Sequence, residues 1–304
     1  MNIVVSGGTG FIGRPLCRLL IEHGHDVTVL SRRRDENAAD SRATIVYWDG
    51  VTHGTWERAL MSANAVINLA GAPIADRRWT TKRKEVLIES RVGTTRLLIE
   101  AMSALPRAPE TLINGSAIGF YGPRDDQPLR ETAAPGSGFL TDLCRRWEQQ
   151  AMLAERLGSR VVCLRTGMVL GKQGGALPRM LLPFRLFMGG PIGSGDQWIS
   201  WIHLDDLTRL IHWLLITPHI TGGVNAVAPH PVTMREFAAT VGSVLKRPSW
   251  LPVPAWALRL ALGELATLMT TGQRVIPIVA LQNGFEFRYP SLFMALAQLE
   301  TTSA

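Results

Sequence analysis

The sequence predicts an α/β fold, a doubly wound parallel sheet with a smaller C-terminal lobe. Three observations lead there. An apolar run, "NIVVSG", ends in glycines and passes directly into a segment of helical spacing. Strand and helix signals then alternate as far as Gly171, at the spacing of crossover connections. After Gly171 the alternation stops, and glycine, proline and apolar residues mix. Together they describe a Rossmann arrangement.

The elements follow in order. "NIVVSG" is the first strand, and "RPLCRLLIEHG" is a helix closed by Gly24. "DVTVLSR", "ATIVYWDG" and "AVINLAG" are the second, third and fourth strands. "KEVLIESRVGTTRLLIEAM" is helical, with Val86, Leu87, Ser90, Val92, Leu97, Leu98 and Ala101 near one broad face. "TLINGSA" is the fifth strand, residues 139–157 a helix and "RVVCLRTGMVLG" the sixth strand. "VNAV" (224–227) is a late strand returning to the sheet, and from about residue 229 the chain is helical and proline-punctuated. This assigns residues 1–170 and 202–228 to the Rossmann domain, and 171–201 and 229–304 to a substrate-side C-terminal lobe.

Composition narrows the function classes. A chain of 304 residues that is 46% hydrophobic builds a full core, and 19% charged residues without low-complexity runs excludes global disorder. Cys17, Cys144 and Cys163 form no CxxC pair and read as reduced core residues. The net charge is +7, but the arginines are scattered and lack an aromatic–basic stacking motif. That favours a basic surface with a pocket for a polyphosphate over nucleic-acid binding. The start "MNIVVSGG" runs straight into a strand, and Arg259 and Glu264 interrupt the longest apolar stretch. No leader and no membrane segment are therefore expected. The expectation is a cytoplasmic monomer or homodimer acting on a small molecule.

"SGGTGFIG" places Gly7, Gly10 and Gly13 in GxxGxxG spacing between a strand and a helix. Such glycines permit a tight turn and close approach to a pyrophosphate, which the helix N-terminus then binds. Gly7, Gly10, Phe11, Ile12 and Gly13 are accordingly predicted cofactor contacts. The second strand ends "LSRRR", with Ser31, Arg32, Arg33 and Arg34 where an acidic residue would mark NAD. Arginine there suits a 2′-phosphate, so the predicted cofactor is NADP. Asp49 reads equally as an adenine-side contact or a turn aspartate. "NLAG", with Leu69, Ala70 and Gly71, lies along the cofactor at the C-terminal edge of the sheet or forms a simple turn.

These motifs resemble the extended short-chain dehydrogenase/reductase superfamily. The resemblance narrows to an atypical epimerase-family branch of NAD(P)-dependent oxidoreductases with a short C-terminal domain of unknown function. It is carried by "GGTGFIG", "INLAGAPIADRRW", "GSAIGFYG", "LCRRWE", "LRTGMVLG", "LLPFRLFMGGPIGSG", "WIHLDDL", "VNAVAPHPVT", "LKRP", "GQRVIP" and "GFEFRYP". The resemblance implies NADP contacts at Ser31, Arg32, Leu69, Ala70, Glu85 and Arg91 and near Val169. Read from spacing alone, Glu85 and Arg91 are a helical surface pair.

Ordinary members of that superfamily carry a catalytic tyrosine with a lysine four residues later, on one helix face. This chain has three tyrosines, and their i+4 neighbours are Val51, Asp125 and Phe293. Aligned on "WE", the two places hold Leu140 and Cys144, in an apolar stripe with Leu143, Trp147 and Ala151. Two functions remain open: an oxidoreductase or epimerase with altered acid/base groups, and a non-catalytic NADPH-binding sensor or scaffold. If the chain is catalytic, Tyr121 assisted by Ser116 is the candidate pair. Counted back from that tyrosine, however, the usual serine place falls on Ala117. The alternative for Tyr121 is a turn tyrosine that packs on the cofactor or the C-terminal lobe. "WIHLDDL" reads as a strand-to-helix corner capped by an aspartate, and no metal site is assigned.

Overall fold

The computed structural model describes residues 1–33 and 40–301; Arg34 lies outside the described residues. The chain runs β1 (Asn2–Ser6), α1 (Gly13–Glu22), β2 (Asp26–Ser31), β3 (Thr44–Tyr47), β4 (Ala65–Asn68), α2 (Thr81–Ile88), α3 (Thr94–Ser103), β5 (Thr111–Ala117), α4 (Phe139–Met152) and β6 (Arg160–Thr166). It continues through β7 (Met168–Leu170), α5 (Leu177–Arg185), β8 (Trp198–Ile199), β9 (Trp201–His203), α6 (Leu204–Leu215), β10 (Gly222–Ala226), β11 (Val232–Thr233) and α7 (Met234–Leu245). Four helices follow: α8 (Ala255–Leu262), α9 (Thr267–Thr270), α10 (Ile278–Gln282) and α11 (Leu292–Thr301).

Seven strands form one parallel sheet in the order β10-β6-β5-β4-β1-β2-β3. The strand order reverses between β1 and β4, which opens a crevice at their C-terminal ends. Residue alternation divides the core. Ile3 and Val5 face α1 and α6, whereas Val4 faces the side of α3 and α4 with Leu98, Met102 and Ala151. A third cluster joins Leu181, Phe184, Trp201, Phe237, Val241 and Leu296 in the C-terminal lobe. Ala280 and Phe285, although late in sequence, are buried in the first cluster beside α6. Among the described residues, no helix is long and apolar enough to cross a membrane.

Several elements differ from expectation for identifiable reasons. The predicted sixth strand breaks at Gly167, whose N–H bonds Ala226 O at 3.1 Å. A Cβ at Gly167 would lie 2.5 Å from Ser200 O, so the chain turns there. Its continuation, β7, pairs with β9 in a separate two-stranded sheet. The predicted helix over 84–102 is α2 and α3 joined by a π turn at Glu89–Gly93. α4 ends at Met152 and relaxes through a 3₁₀ turn to Gly158.

The "WIHLDDL" corner is capped by its histidine, not by an aspartate. His203 Nδ1 accepts from Asp205 N at 3.1 Å, and its Nε2 bonds Gln298 Oε1 at 3.0 Å. Asp206 is free to reach across to "GFEFRYP", accepting from Arg288 N at 2.8 Å and Tyr289 N at 2.9 Å. This fully buried carboxylate ties the chain's last segment to α6.

Candidate functional site

The crevice floor is glycine. Gly7 has φ +75°, and a Cβ there would lie 2.8 Å from the Leu69 carbonyl. A Cβ on Gly13 would overlap Gly7 O and crowd Gly8 Cα at 2.6 Å. Only glycine lets the β1–α1 loop lie this close to the end of β4. The N-cap residue of α1, Ile12, supplies no side-chain cap, so the helix's N-terminal end keeps its capacity for an anion.

Phe11 has a further role that the sequence reading missed. Added Cβ atoms at Gly171, Gly174 and Gly175 would each come within 2.9 Å of its ring. Three glycines thus form a cradle for the ring, locking the loop to the segment after β7. Val169 belongs to the same region, because its carbonyl oxygen is 3.2 Å from the Cβ position of Gly175. The signal was present in "GKQGG", but nothing in the sequence says which ring it receives.

At the end of β2, Ser31 is buried and its hydroxyl accepts from Arg33 N at 3.1 Å. Arg32 and Arg33 are exposed beyond it. Asp49 is engaged in its own turn: its carboxylate accepts from Val51 N at 2.8 Å, Thr52 N at 2.9 Å and Thr52 Oγ1 at 2.6 Å. The Thr52 hydroxyl, followed by these amides, lowers its pKa. In this structure the Asp49 carboxylate closes its own turn.

The end of β4 rests on a buried amide network. Asn68 Oδ1 accepts from Ser6 Oγ at 2.5 Å, and its Nδ2 donates to Asn114 Oδ1 at 2.7 Å and Thr95 Oγ1 at 2.9 Å. Trp147 Nε1 donates to the same Thr95 hydroxyl at 3.0 Å. The network fixes β1, β4 and β5 in register beneath the crevice. Matching asparagines inside two apolar strands, "VIN" and "LIN", were its sequence signal.

Gly71 admits a guanidinium. Its Cβ position is 3.1 Å from Arg91 Cζ, and Arg91 Nη2 donates to Ala72 O at 3.0 Å. Among the described residues no carboxylate pairs with Arg91, and burial lowers its pKa. Arg91 is thus a partly buried cation at the crevice, whereas Glu85, one and a half turns earlier, is exposed. The two are not a surface pair.

Leu140 and Cys144 on α4 are engaged in packing. Leu140 Cβ and Cys144 Sγ lie 3.2 and 3.7 Å from the Cβ position of Gly119. Cys144 is buried, and burial pushes its thiol pKa up to about 12. Cys17 and Cys163 are likewise buried free thiols.

Tyr121 and Ser116, the candidate acid/base pair, both lie inside the protein. Tyr121 is fully buried; its hydroxyl donates to Asn225 Oδ1 at 2.6 Å and accepts from Arg165 Nη1 at 3.0 Å. Burial raises its pKa, outweighing the neighbouring arginine. Ser116, 5% exposed, donates to Glu148 Oε1 at 2.6 Å. Both hydroxyls belong to one internal network centred on Arg165 and Glu148, which the sequence reading did not anticipate. Tyr121 sits in a turn and clusters with Leu129, Val227 and Val275, the last from the C-terminal lobe, while its hydroxyl meets Arg165 and Asn225.

Gly7, Gly10, Gly13, Leu69, Ala70, Gly71, Arg91 and the cradle by Val169 therefore converge on one crevice at the strand-order reversal, with Arg32 and Arg33 at the neighbouring strand end. This fold and site define a protein of the extended short-chain dehydrogenase type. The chain belongs to the NAD dependent epimerase/dehydratase family, whose model matches residues 3–224, and a domain of unknown function, DUF1731, matches residues 253–299. Epimerase family protein YfhF of Bacillus subtilis is 40% identical over 301 residues, covering 98% of each chain. The crystal structure of human epimerase family protein SDR39U1 (isoform 2) with NADPH superimposes with TM-score 0.89 at 36% identity, covering 99% of each chain. A UDP-glucose 4-epimerase from Thermus thermophilus, solved with NAD, shares the fold at TM-score 0.77 and 15% identity.

Proposed function

We propose that this chain is an NADP(H)-binding protein of the oxidoreductase/epimerase type that works without a Tyr-x-x-x-Lys pair. The observation that carries this reading is the pairing of the uncapped α1 N-terminus, behind the Gly7–Leu69 contact, with two exposed arginines at the end of β2. That donor set suits two anionic groups at the two ends of an adenosine moiety. The loop of Gly7, Gly10, Phe11, Ile12 and Gly13 would hold the pyrophosphate, and Arg32 with Arg33 the 2′-phosphate. Ser31 would orient the arginine turn. Leu69, Ala70 and Gly71, with Arg91 and Val169, would line the nicotinamide half, and Glu85 would approach from α2. The cofactor, when bound, supplies a hydride. Residues 1–170 and 202–228 would bind it, and residues 171–201 and 229–304 would cover a small-molecule substrate.

A second reading, a non-catalytic NADPH sensor or scaffold, draws support from one specific observation. The hydroxyls nearest in sequence to a catalytic role, those of Ser116 and Tyr121, are committed inside the protein.

The test is cofactor titration of wild type and Arg32→Ala. Losing a charge-assisted contact costs about 1.5–3 kcal/mol, or roughly 10–150-fold in NADPH affinity. NADH binding should be unaffected. Equal affinity of the wild type for both cofactors would reject the assignment. Deuterium transfer from 4-deuterated NADPH to a product would separate the enzyme from the sensor.

A further inference from the structure

The lobe carries an exposed apolar surface assembled from two segments far apart in sequence. The end of α5 and its turn contribute Leu182, Leu186, Phe187 and Met188, all more than half exposed. The second segment contributes Trp250, Trp256 and Leu260, exposed by 74%, 70% and 76%. The backbone joins the segments: Leu251 N donates to Gly189 O at 3.0 Å, and Val253 N to Pro191 O at 2.9 Å. Arg247 lies over the Phe187 ring, 4.4 Å from its centroid. A soluble chain rarely leaves two tryptophans, a phenylalanine and three leucines together in water without a partner for them.

The charge of this surface identifies the partner. Residues 177–191 carry Arg179 and Arg185, residues 246–262 carry Lys246, Arg247 and Arg259, and neither segment contains an aspartate or glutamate. Glu300 of α11 answers Arg185 at 3.0 Å, and Arg179 donates to Ala75 O at 3.1 Å. Arg247 lies against the Phe187 ring, and Lys246 and Arg259 are the other cations of the segment that carries Trp250 and Trp256. Tryptophan, phenylalanine and leucine framed by cations match a bilayer interface, where rings enter the acyl boundary and cations stay at the phosphates. A second copy of the chain fits poorly, because a two-fold contact would set these cations against themselves.

We infer that the surface formed by residues 182–190 and 246–260 binds peripherally to a lipid bilayer carrying anionic headgroups. No spanning helix is involved. A search of the sequence for a long apolar run could not find it, because its side chains come together only in the fold. Membrane binding here leaves the crevice at β1 and β4 untouched and does not depend on the cofactor reading.

The experiment is sedimentation of the full chain with vesicles of phosphatidylcholine alone and of phosphatidylcholine with phosphatidylglycerol. The protein should partition onto the anionic vesicles only. Lys246→Glu with Arg247→Glu, and separately Trp250→Ser with Trp256→Ser, should each lower the partition ratio by about tenfold or more. These positions are exposed, and an unchanged melting temperature confirms that the variants fold. Arg107→Glu with Arg156→Glu, in the segments that lead into β5 and β6, is the control and should leave partitioning nearly intact. Three results would overturn the proposal: no sedimentation of wild type, an equal loss in the control, or a dimer by light scattering that Trp256→Ser converts to monomer.

Discussion

Arg165 on β6 and Glu148 on α4 meet through two parallel hydrogen bonds, Nε to Oε1 and Nη2 to Oε2, each 2.9 Å long. Their side chains are 8% and 11% exposed. Burial opposes the arginine's charge, but the Glu148 hydrogen bonds and carboxylate outweigh it and raise its pKa. Ser116, Tyr121, Asn225 and the Glu131 carbonyl take up further hydrogen bonds around the pair, and the Phe120 ring centroid lies 3.6 Å from the guanidinium carbon. The network thereby joins β5, α4, β6 and β10 behind the crevice. Its satisfaction is what makes a buried pair tolerable.

Removing one partner should therefore cost more than removing both. Glu148→Leu leaves a buried cation and is expected to destabilise the protein by about 3–5 kcal/mol. Glu148→Leu with Arg165→Met should recover part of that loss in denaturant titrations. Strictly additive single and double effects would mean that the two side chains are not coupled.

Tyr121→Phe separates a structural from a catalytic hydroxyl. It leaves Asn225 Oδ1 and Arg165 Nη1 each short of a partner in a buried site. The expected cost is about 1–3 kcal/mol of stability, with NADPH affinity unchanged. A general acid at this position would give the opposite pattern, a roughly 10²–10⁴-fold fall in turnover at constant stability.

The sheet and the crevice were legible because they rest on local signals. Glycine spacing, the arginines after β2 and strand–helix alternation each act within a few residues, and the seven parallel strands follow from them. What was not legible depends on partners distant in sequence. Nothing in "GSAIGFYG" reveals that Asn225, 104 residues later, accepts the tyrosine's hydrogen bond. A histidine cap was missed because aspartate is the commoner cap, and here Asp206 is occupied by Arg288 and Tyr289, 82 and 83 residues away. The break at Gly167 comes from Ser200 O, which only the tertiary fold places there.

Restoring the missing pair should not restore activity. In Leu140→Tyr with Cys144→Lys, the tyrosine would have to enter the contact with Gly119, and the lysine a site where Cys144 is 3% exposed. The nearby Glu148 carboxylate is already held by Arg165 and Ser116, so the buried ammonium would have to break that pair or lose its charge. The double variant should melt well below wild type and gain no ketone reduction. Turnover of a generic ketone by a stably folded double variant would contradict the packing assigned to α4.

Stability should fall on mild acidification, and His212 should be the main reason. His212 on α6 lies between the end of α1 and the start of β2. The His23 ring is 4.3 Å away between centroids, and His25 Nε2 is 3.1 Å from His212 Nε2. Burial, reinforced by the two neighbouring imidazoles, lowers the His212 pKa to about 4. Burial lowers His25 as well, while Asp26 opposes that shift in part. The folded state therefore holds a neutral imidazole that the unfolded chain would protonate near its ordinary value of 6.5. Protons then bind more readily to the unfolded state, so this contribution is complete above about pH 6.5 and is lost as pH falls towards about 4. Wild type should melt at a distinctly lower temperature near pH 5 than near pH 7. His212→Gln, which retains a hydrogen-bonding group towards His25 but cannot be protonated, should show a shallower fall over the same interval. An equally steep fall in that variant would place the acid sensitivity elsewhere in the protein.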